Sequence, residues 1–374
     1  MPKKIRPGVK KPKSVLSFYP GPSKVWEKVP QYTIKAYRKG ILSCNHRSPE
    51  FEQLYRDTVA MLQKRLHIPQ DYTILFTSSA TECWEIIAQS LVSEKSLHVY
   101  NGAFGAKWLE YTQKLHPAAA GHAFGLEEEP DPVSLPVTPD TGLLAITHNE
   151  TSNGTCWSRK ALKSLRAAWP DKLIAVDATS SMGGVRLPFE QADVWYASVQ
   201  KCFGLPAGMA VLVLSPKAVE RARAINEQQH YNSLPYLLDH AANHQPGHTP
   251  NVLGIWLLLH SLRDGRAIGA TERILQRQRR DWEAFLSGLE GFEPLIADTK
   301  VASDTVIPIK GEPDRITALI AAAKAAGFLL GKGYGDWKGK TFRIANFPQH
   351  TKSDMLRLQD FMQHWVESQK KDVS

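Results

Sequence analysis

From residue 51 to 66 the chain (FEQLYRDTVAMLQKRL) places apolar side chains at helical spacing, and the pattern predicts a helix there. Beyond it the period changes. Short apolar runs follow at YTILFT (72–77), SLHVYN (96–101), GLLAITHNE (142–150), KLIAVDAT (172–179), DVWYASVQ (193–200) and MAVLVLS (209–215). Each is too short for a helix and suits a strand buried on both faces. Helical patterns such as TECWEIIAQSLVS (81–93) and SRKALKSLRAAW (158–169) lie between them. This alternation predicts an α/β fold, a mostly parallel central sheet with helices on both faces.

After residue 250 the pattern shifts. A long helical stretch (251–289) should break near Gly265. A strand (SDTVIPI, 303–309), a helix (DRITALIAAAKAAG, 314–327), a glycine-rich loop, a strand (KTFRIAN, 340–346) and a terminal helix complete the chain. This reads as a smaller α+β domain. The expected divisions are a basic tail over 1–14, a large domain over 15–250 and a small domain over 251–374.

Charge changes this picture little. Of 374 residues, 46 are Lys or Arg and 37 are Asp or Glu, for a net charge of +9. Five lysines and one arginine fall in the first fourteen residues, so the remainder carries only +3. The excess belongs to a tail and implies no nucleic-acid surface. No apolar run reaches the length of a membrane span, and the N-terminus lacks an apolar signal core. The four cysteines (Cys44, Cys83, Cys156, Cys202) form no CxxC pair, and a reduced cytoplasmic enzyme is expected.

In sheets of this kind ligands bind beyond the carboxyl ends of the strands. Five such ends carry chemistry. Ser78-Ser79-Ala80-Thr81 leads straight into a helix, whose free N–H groups and dipole would suit a phosphate, or would simply be N-capped. Phe104 lies between glycines and could cover a planar ligand. Thr151, Ser152 and Asn153 could bond a ligand edge or make a turn. Asp177 ends an apolar strand and needs a positive or hydrogen-bonding partner. Lys201 follows another, where burial would lower its pKa and make it an imine-forming nucleophile. A phosphate seat, a stacking ring, a carboxylate for a ring nitrogen and a reactive amine together match the needs of pyridoxal 5′-phosphate.

The same residues carry a resemblance. FYPGPSKV (18–25), NHRSPEF (45–51), TSSAT (77–81), NGAFG (101–105), THNETSNG (147–154), VDATSS (176–181), SVQK (198–201), HTP (248–250) and FRIANF (342–347) resemble, in order and spacing, the fold type I, class V aminotransferases. The phosphoserine aminotransferase branch is the most similar. The resemblance implies that Lys201 attaches to the cofactor aldehyde and that Asp177 pairs with the pyridine nitrogen. Ser79, Ala80, Thr81 and Gln200 would hold the phosphate. Phe104 would stack on the ring, where the family usually has Trp. Thr151 or Ser152 would bond the ring hydroxyl, and Thr179 would pack behind it. His248 and Thr249 would reach the phosphate from the other subunit of a homodimer.

For the substrate, Arg343 would bind the α-carboxylate. His46 and Arg47 would reach the substrate phosphate from the other subunit. The family has a further His-Arg upstream of its carboxylate arginine. Here that loop reads GKGYGDWK (331–338), and Lys332 or Lys338 is left to supply the charge. The implied reaction is ping-pong transamination of phosphoserine with 2-oxoglutarate, and the alternative is an alanine–glyoxylate or serine–pyruvate type of the same class. Cysteine desulfurase is disfavoured because no Cys follows Cys202. Gly339-Lys340-Thr341 fails as a P-loop, since Tyr334 occupies its first glycine position. A metal site on His240, His244 and His248 is disfavoured by Pro246-Gly247, which interrupts the helical spacing.

Overall fold

The computed structural model describes residues 15–371, so the expected basic tail over 1–14 lies outside the described residues. In chain order the main elements begin with β1 (Leu16–Phe18), α1 (Val29–Arg38), α2 (Pro49–Leu66), β2 (Thr73–Thr77), α3 (Ala80–Leu91), β3 (Lys95–Tyr100), α4 (Ala103–Leu115) and β4 (Ala120–Ala123). Then come β5 (Thr141–Thr147), a small ribbon of β6 (Asn149–Glu150) and β7 (Thr155–Cys156), α5 (Arg159–Ala168), β8 (Leu173–Asp177), β9 (Val194–Ser198), β10 (Ala210–Leu214), α6 (Pro216–Ile225) and α7 (Leu234–Ala242). The last third holds α8 (Val252–Asp264), α9 (Ile268–Ser287), β11 (Phe292–Pro294), β12 (Val306–Gly311), α10 (Pro313–Ala325), β13 (Phe328–Lys332), β14 (Thr341–Ala345) and α11 (Lys352–Lys371).

The seven-stranded sheet runs β2-β10-β9-β8-β5-β3-β4. Strands β9, β8, β5, β3 and β4 are parallel, and β10 alone runs against both of its neighbours. Alternate residues divide cleanly between its faces. Ile174, Val176, Trp195, Ala197, Val211 and Val213 enter one core, and Leu173, Ala175, Val194, Tyr196, Leu212 and Leu214 enter the other. The near-continuous apolar runs in the sequence are the consequence of covering both faces.

Register fixes what meets at the sheet's edge. Thr147 pairs with Asp177, and Asp177 with Tyr196, across β5, β8 and β9. Ser198 pairs with Ala210, and Ala210 with Thr77, across β9, β10 and β2. The carboxyl ends of four strands are thus brought into one row.

The helix entrances follow their local signals. Ser48, Ser79 and Ser158 cap α2, α3 and α5, each accepting a bond from the third backbone N–H onward. The expected break at Gly265 separates α8 from α9. Strands β1, β4, β7, β11 and β13 were not legible in the sequence. Residues 328–332 form β13 where a loop was expected, and β1 pairs with it in parallel. Both join the five-stranded sheet β1-β13-β14-β12-β11, which α9, α10 and α11 cover. Strand β1 has only three residues, too few to display a period. In β13 three apolar residues and a glycine precede Lys332, with no alternation to read.

Candidate active site

The sheet edge and the second sheet enclose a cavity of about 290 Å³. Lys201 lies in it on the turn after β9, buried, with its amine donating to Thr151 Oγ1 (2.8 Å) and Ser180 Oγ (3.1 Å). Burial pulls its pKa down to about 8, against the opposing pull of Asp177 and Glu150. The backbone at Gly21 closes over it. Gly21 has φ +141, and a Cβ there would lie 2.8 Å from Lys201 Cε.

Asp177 ends β8 with its carboxylate buried at the cavity. Burial raises its pKa, and a bond from Thr179 N (2.8 Å) only partly offsets this. Among the described residues no cation forms an ion pair with it. The carboxylate and the lysine are thus both biased toward neutrality.

Two helices point their N-termini at this edge, and they differ. At α4 the carboxylate of Glu150 accepts from Phe104 N (3.2 Å), Gly105 N (3.1 Å), Ser152 N (2.9 Å) and Ser152 Oγ (2.7 Å). Glu150 is only 1% exposed, and this end is filled by an anion from the protein itself. At α3, Ala80 N meets only a hydroxyl, Ser198 Oγ, at 3.2 Å. Ala80 and Thr81 line the cavity there beside Gln200. The open N-terminus is therefore that of α3.

The predicted residues sort into three groups. Ala80, Thr81, Phe104, Thr151, Asp177, Thr179, Gln200, Lys201 and Arg343 line one cavity. Thr151 faces the lysine, whereas Ser152 is turned to Glu150 and to Ala103 N (3.0 Å). Ser79 caps α3 through Glu82 N (3.1 Å). His46, Arg47, His248 and Thr249 stand elsewhere in the same chain, outside the cavity. Arg47 donates to Gln245 Oε1 (2.6 Å) and lies 3.3 Å from His240 Nδ1. Burial, Arg47 and His248 together lower the pKa of His46. The side chain of Lys332 is exposed and lines no part of the cavity, and its carbonyl holds the guanidinium of Arg343.

Arg343, in β14, is buried. Its Nε and Nη2 donate to Lys332 O (2.9 and 2.8 Å) and its Nη1 to Thr151 O (2.7 Å). Two of the five guanidinium N–H groups stay available.

Several lining residues escaped the sequence reading: Tyr19, Gly21, Trp84, Thr147, Asn149 and Tyr334. Asn149 sits next to residues that were singled out, and spacing from the strand end could have found it. Tyr19 and Tyr334 arrive from the second sheet, and no local pattern announces them.

Residues 19–294 match the family described as aminotransferase class-V. The chain belongs to that family. A phosphoserine aminotransferase from Rhodococcus opacus is 28% identical over 362 residues, which span 93% of this chain and 94% of the relative. The structure of a phosphoserine aminotransferase from Cytophaga hutchinsonii superposes with a TM-score of 0.88 at 30% identity, over 94% of this chain and 98% of that one. An alanine–glyoxylate aminotransferase from Nostoc shares the fold at 17% identity and a TM-score of 0.80, over 96% of this chain and 97% of that one.

Class-V aminotransferases are pyridoxal-phosphate enzymes, and the cavity of this aminotransferase fits the cofactor. The buried amine and the buried carboxylate are both in place. Thr147 Oγ1, Thr179 Oγ1 and Asn149 Nδ2 line the cavity, buried and without a hydrogen-bond partner. The amide of Asn149 is oriented by Ser303 Oγ (2.7 Å) and Thr305 Oγ1 (3.1 Å), which donate to its oxygen. Buried polar atoms of this kind call for a polar ligand.

Proposed function

We propose that this aminotransferase acts on phosphoserine, with 2-oxoglutarate as the amino acceptor, and serves serine biosynthesis. The observation that carries the reading is the pairing of one cavity, holding Lys201, Asp177 and Arg343, with a separate polar cluster around His46 and the guanidinium of Arg47. The cavity accounts for an α-amino acid. The cluster accounts for a second anion, provided that another subunit brings it across. The enzyme is therefore a homodimer with shared sites, in which His46, Arg47, His248 and Thr249 of each subunit complete the cavity of the other. Its four cysteines are unpaired, as suits the cytoplasm.

The residues have distinct tasks. Ala80, Thr81 and Gln200, with Ser79 as the cap, bind the cofactor phosphate at the start of α3. Lys201 would be its attachment point, Asp177 would pair with the ring nitrogen, Phe104 and Thr179 would flank the ring, and Thr151 would bond the ring hydroxyl. When bound, the cofactor supplies an electron-accepting ring conjugated to the substrate's α-carbon. Arg343 orients the α-carboxylate with its two remaining N–H groups. Lys201 Nζ takes the α-proton and returns it, as general base and then acid, and its depressed pKa suits that work near neutral pH.

The test is the visible spectrum of the purified protein as amino acids are added. Phosphoserine should bleach the imine band at concentrations where serine and alanine do not. Faster bleaching by alanine would favour the alanine–glyoxylate type, which is the second reading. The observation in its favour is Tyr334, which lines the cavity in the loop where the resemblance expects His-Arg.

A further inference from the structure

Tyr334 has a place that neither the family's pattern nor the reaction above explains. Its ring stacks on Phe104 with centroids 5.1 Å apart and planes 11° from parallel. The guanidinium of Arg343 lies 5.7 Å from the same ring. Lys107, on α4, donates to the tyrosine hydroxyl (3.3 Å). The residue thus touches both the ring expected to cover the cofactor and the arginine expected to hold the substrate.

It also lies between two spaces. One is the 290 Å³ cavity around Lys201. The other is an outer cleft of about 530 Å³, lined by Asn101, Lys107, Phe124, Ser152 and Trp337. Tyr334 lines both. The loop that carries it is tightly built. Gly333 N donates to Thr341 O (2.9 Å), Trp337 N to Tyr334 O (3.2 Å) and Lys338 N to Gly335 O (3.1 Å). A Cβ at Gly333 would collide with the carbonyl of Trp337, and Gly335 takes φ +59 with Ala103 Cβ close by. The ring is therefore held as a wall.

We propose that Tyr334 is a specificity-determining residue, the partition that confines the substrate side chain to the inner cavity and excludes bulky aromatic amino acids. This deepens the aminotransferase reading and rests on it. A cavity of 290 Å³ is at the small end of ligand sites, which run from about 300 to 1,000 Å³, and it must hold cofactor and substrate together. Removing the ring joins the outer cleft to it.

The experiment compares wild type, Tyr334→Ala and Tyr334→Phe. Two readouts are taken: kcat/KM for L-glutamate against L-phenylalanine, and calorimetric Kd values for glutarate against 3-phenylpropanoate, which have a carboxylate but no amine. In Tyr334→Ala both preferences should fall by roughly tenfold or more, the scale set by opening or closing a hydrophobic pocket. Tyr334→Phe keeps the ring and should keep both preferences within about threefold. Unchanged preferences in Tyr334→Ala would overturn the proposal, as would equal losses in the two variants. Wild type that transaminates no amino acid would instead overturn the reading beneath it.

Discussion

Lys201 is buried where an ammonium is poorly solvated. In the cofactor-free protein its pKa of about 8 lies below the ordinary 10.5. Below pH 8 both folded and unfolded chains hold the proton, and the burial penalty is fully present. Between about 8 and 10.5 the unfolded chain binds more protons, so stability rises with pH, and above that range the penalty is gone. Lys201→Met should therefore stabilise the cofactor-free protein at pH 7 by roughly 1–3 kcal/mol, and the gain should shrink as pH rises through that interval. Urea unfolding at several pH values measures it. The same substitution should abolish the imine absorbance and the activity, and turnover near the wild-type rate would remove Lys201 from its role. Asp177→Asn keeps the shape but not the charge, and kcat should drop roughly a hundredfold or more. Little of this was beyond the sequence: a charged residue after a wholly apolar strand is an anomaly visible in one dimension.

Among the elements, the contrast between α3 and α4 decides where an anion can sit. Both begin after a strand of the same sheet, and the sequence placed the phosphate at the start of α3 through its run of hydroxyls. Glu150 fills the α4 end from a ribbon some 45 residues further along the chain, a separation no helical or strand pattern spans. Glu150→Ala would leave its donors unpaired in a buried place. A loss of about 2–4 kcal/mol is expected in urea unfolding, together with weaker cofactor retention in dialysis, as Phe104 loses its backbone anchor. Glu150→Gln retains an acceptor and should lose less. A similar lesson comes from Thr151 and Ser152. Their spacing left the choice open, and the turn between β6 and β7 resolves it by giving Ser152 to Glu150.

At the scale of the whole molecule, the cavity is built by both sheets. Tyr19 and Tyr334 close it from beside β1 and β13, two of the strands that sequence periodicity did not reveal. Arg47, which meets His240 and Gln245, lines no part of its own chain's Lys201 cavity, and neither do they. Sharing of sites predicts complementation. Mixed dimers of Lys201→Ala and Arg47→Ala subunits contain one intact site, and at phosphoserine concentrations well below the raised KM of Arg47→Ala, mixing the two proteins should restore turnover that neither shows alone. No recovery, with mixed dimers verified by mass, would count against shared sites. Arg47→Ala alone should raise KM for phosphoserine more than for an unphosphorylated amino acid.

Periodicity and short spacings were enough to specify the α/β sheet, the break at Gly265 and the row of reactive groups at the strand ends, because each depends on neighbours within a few residues. The closing of the α4 end by Glu150, the choice between two adjacent hydroxyls, and the aromatic wall beside Arg343 came only with the tertiary structure. Those choices depend on groups far apart in the chain, whose meeting is set by strand register and by the packing of one sheet against the other.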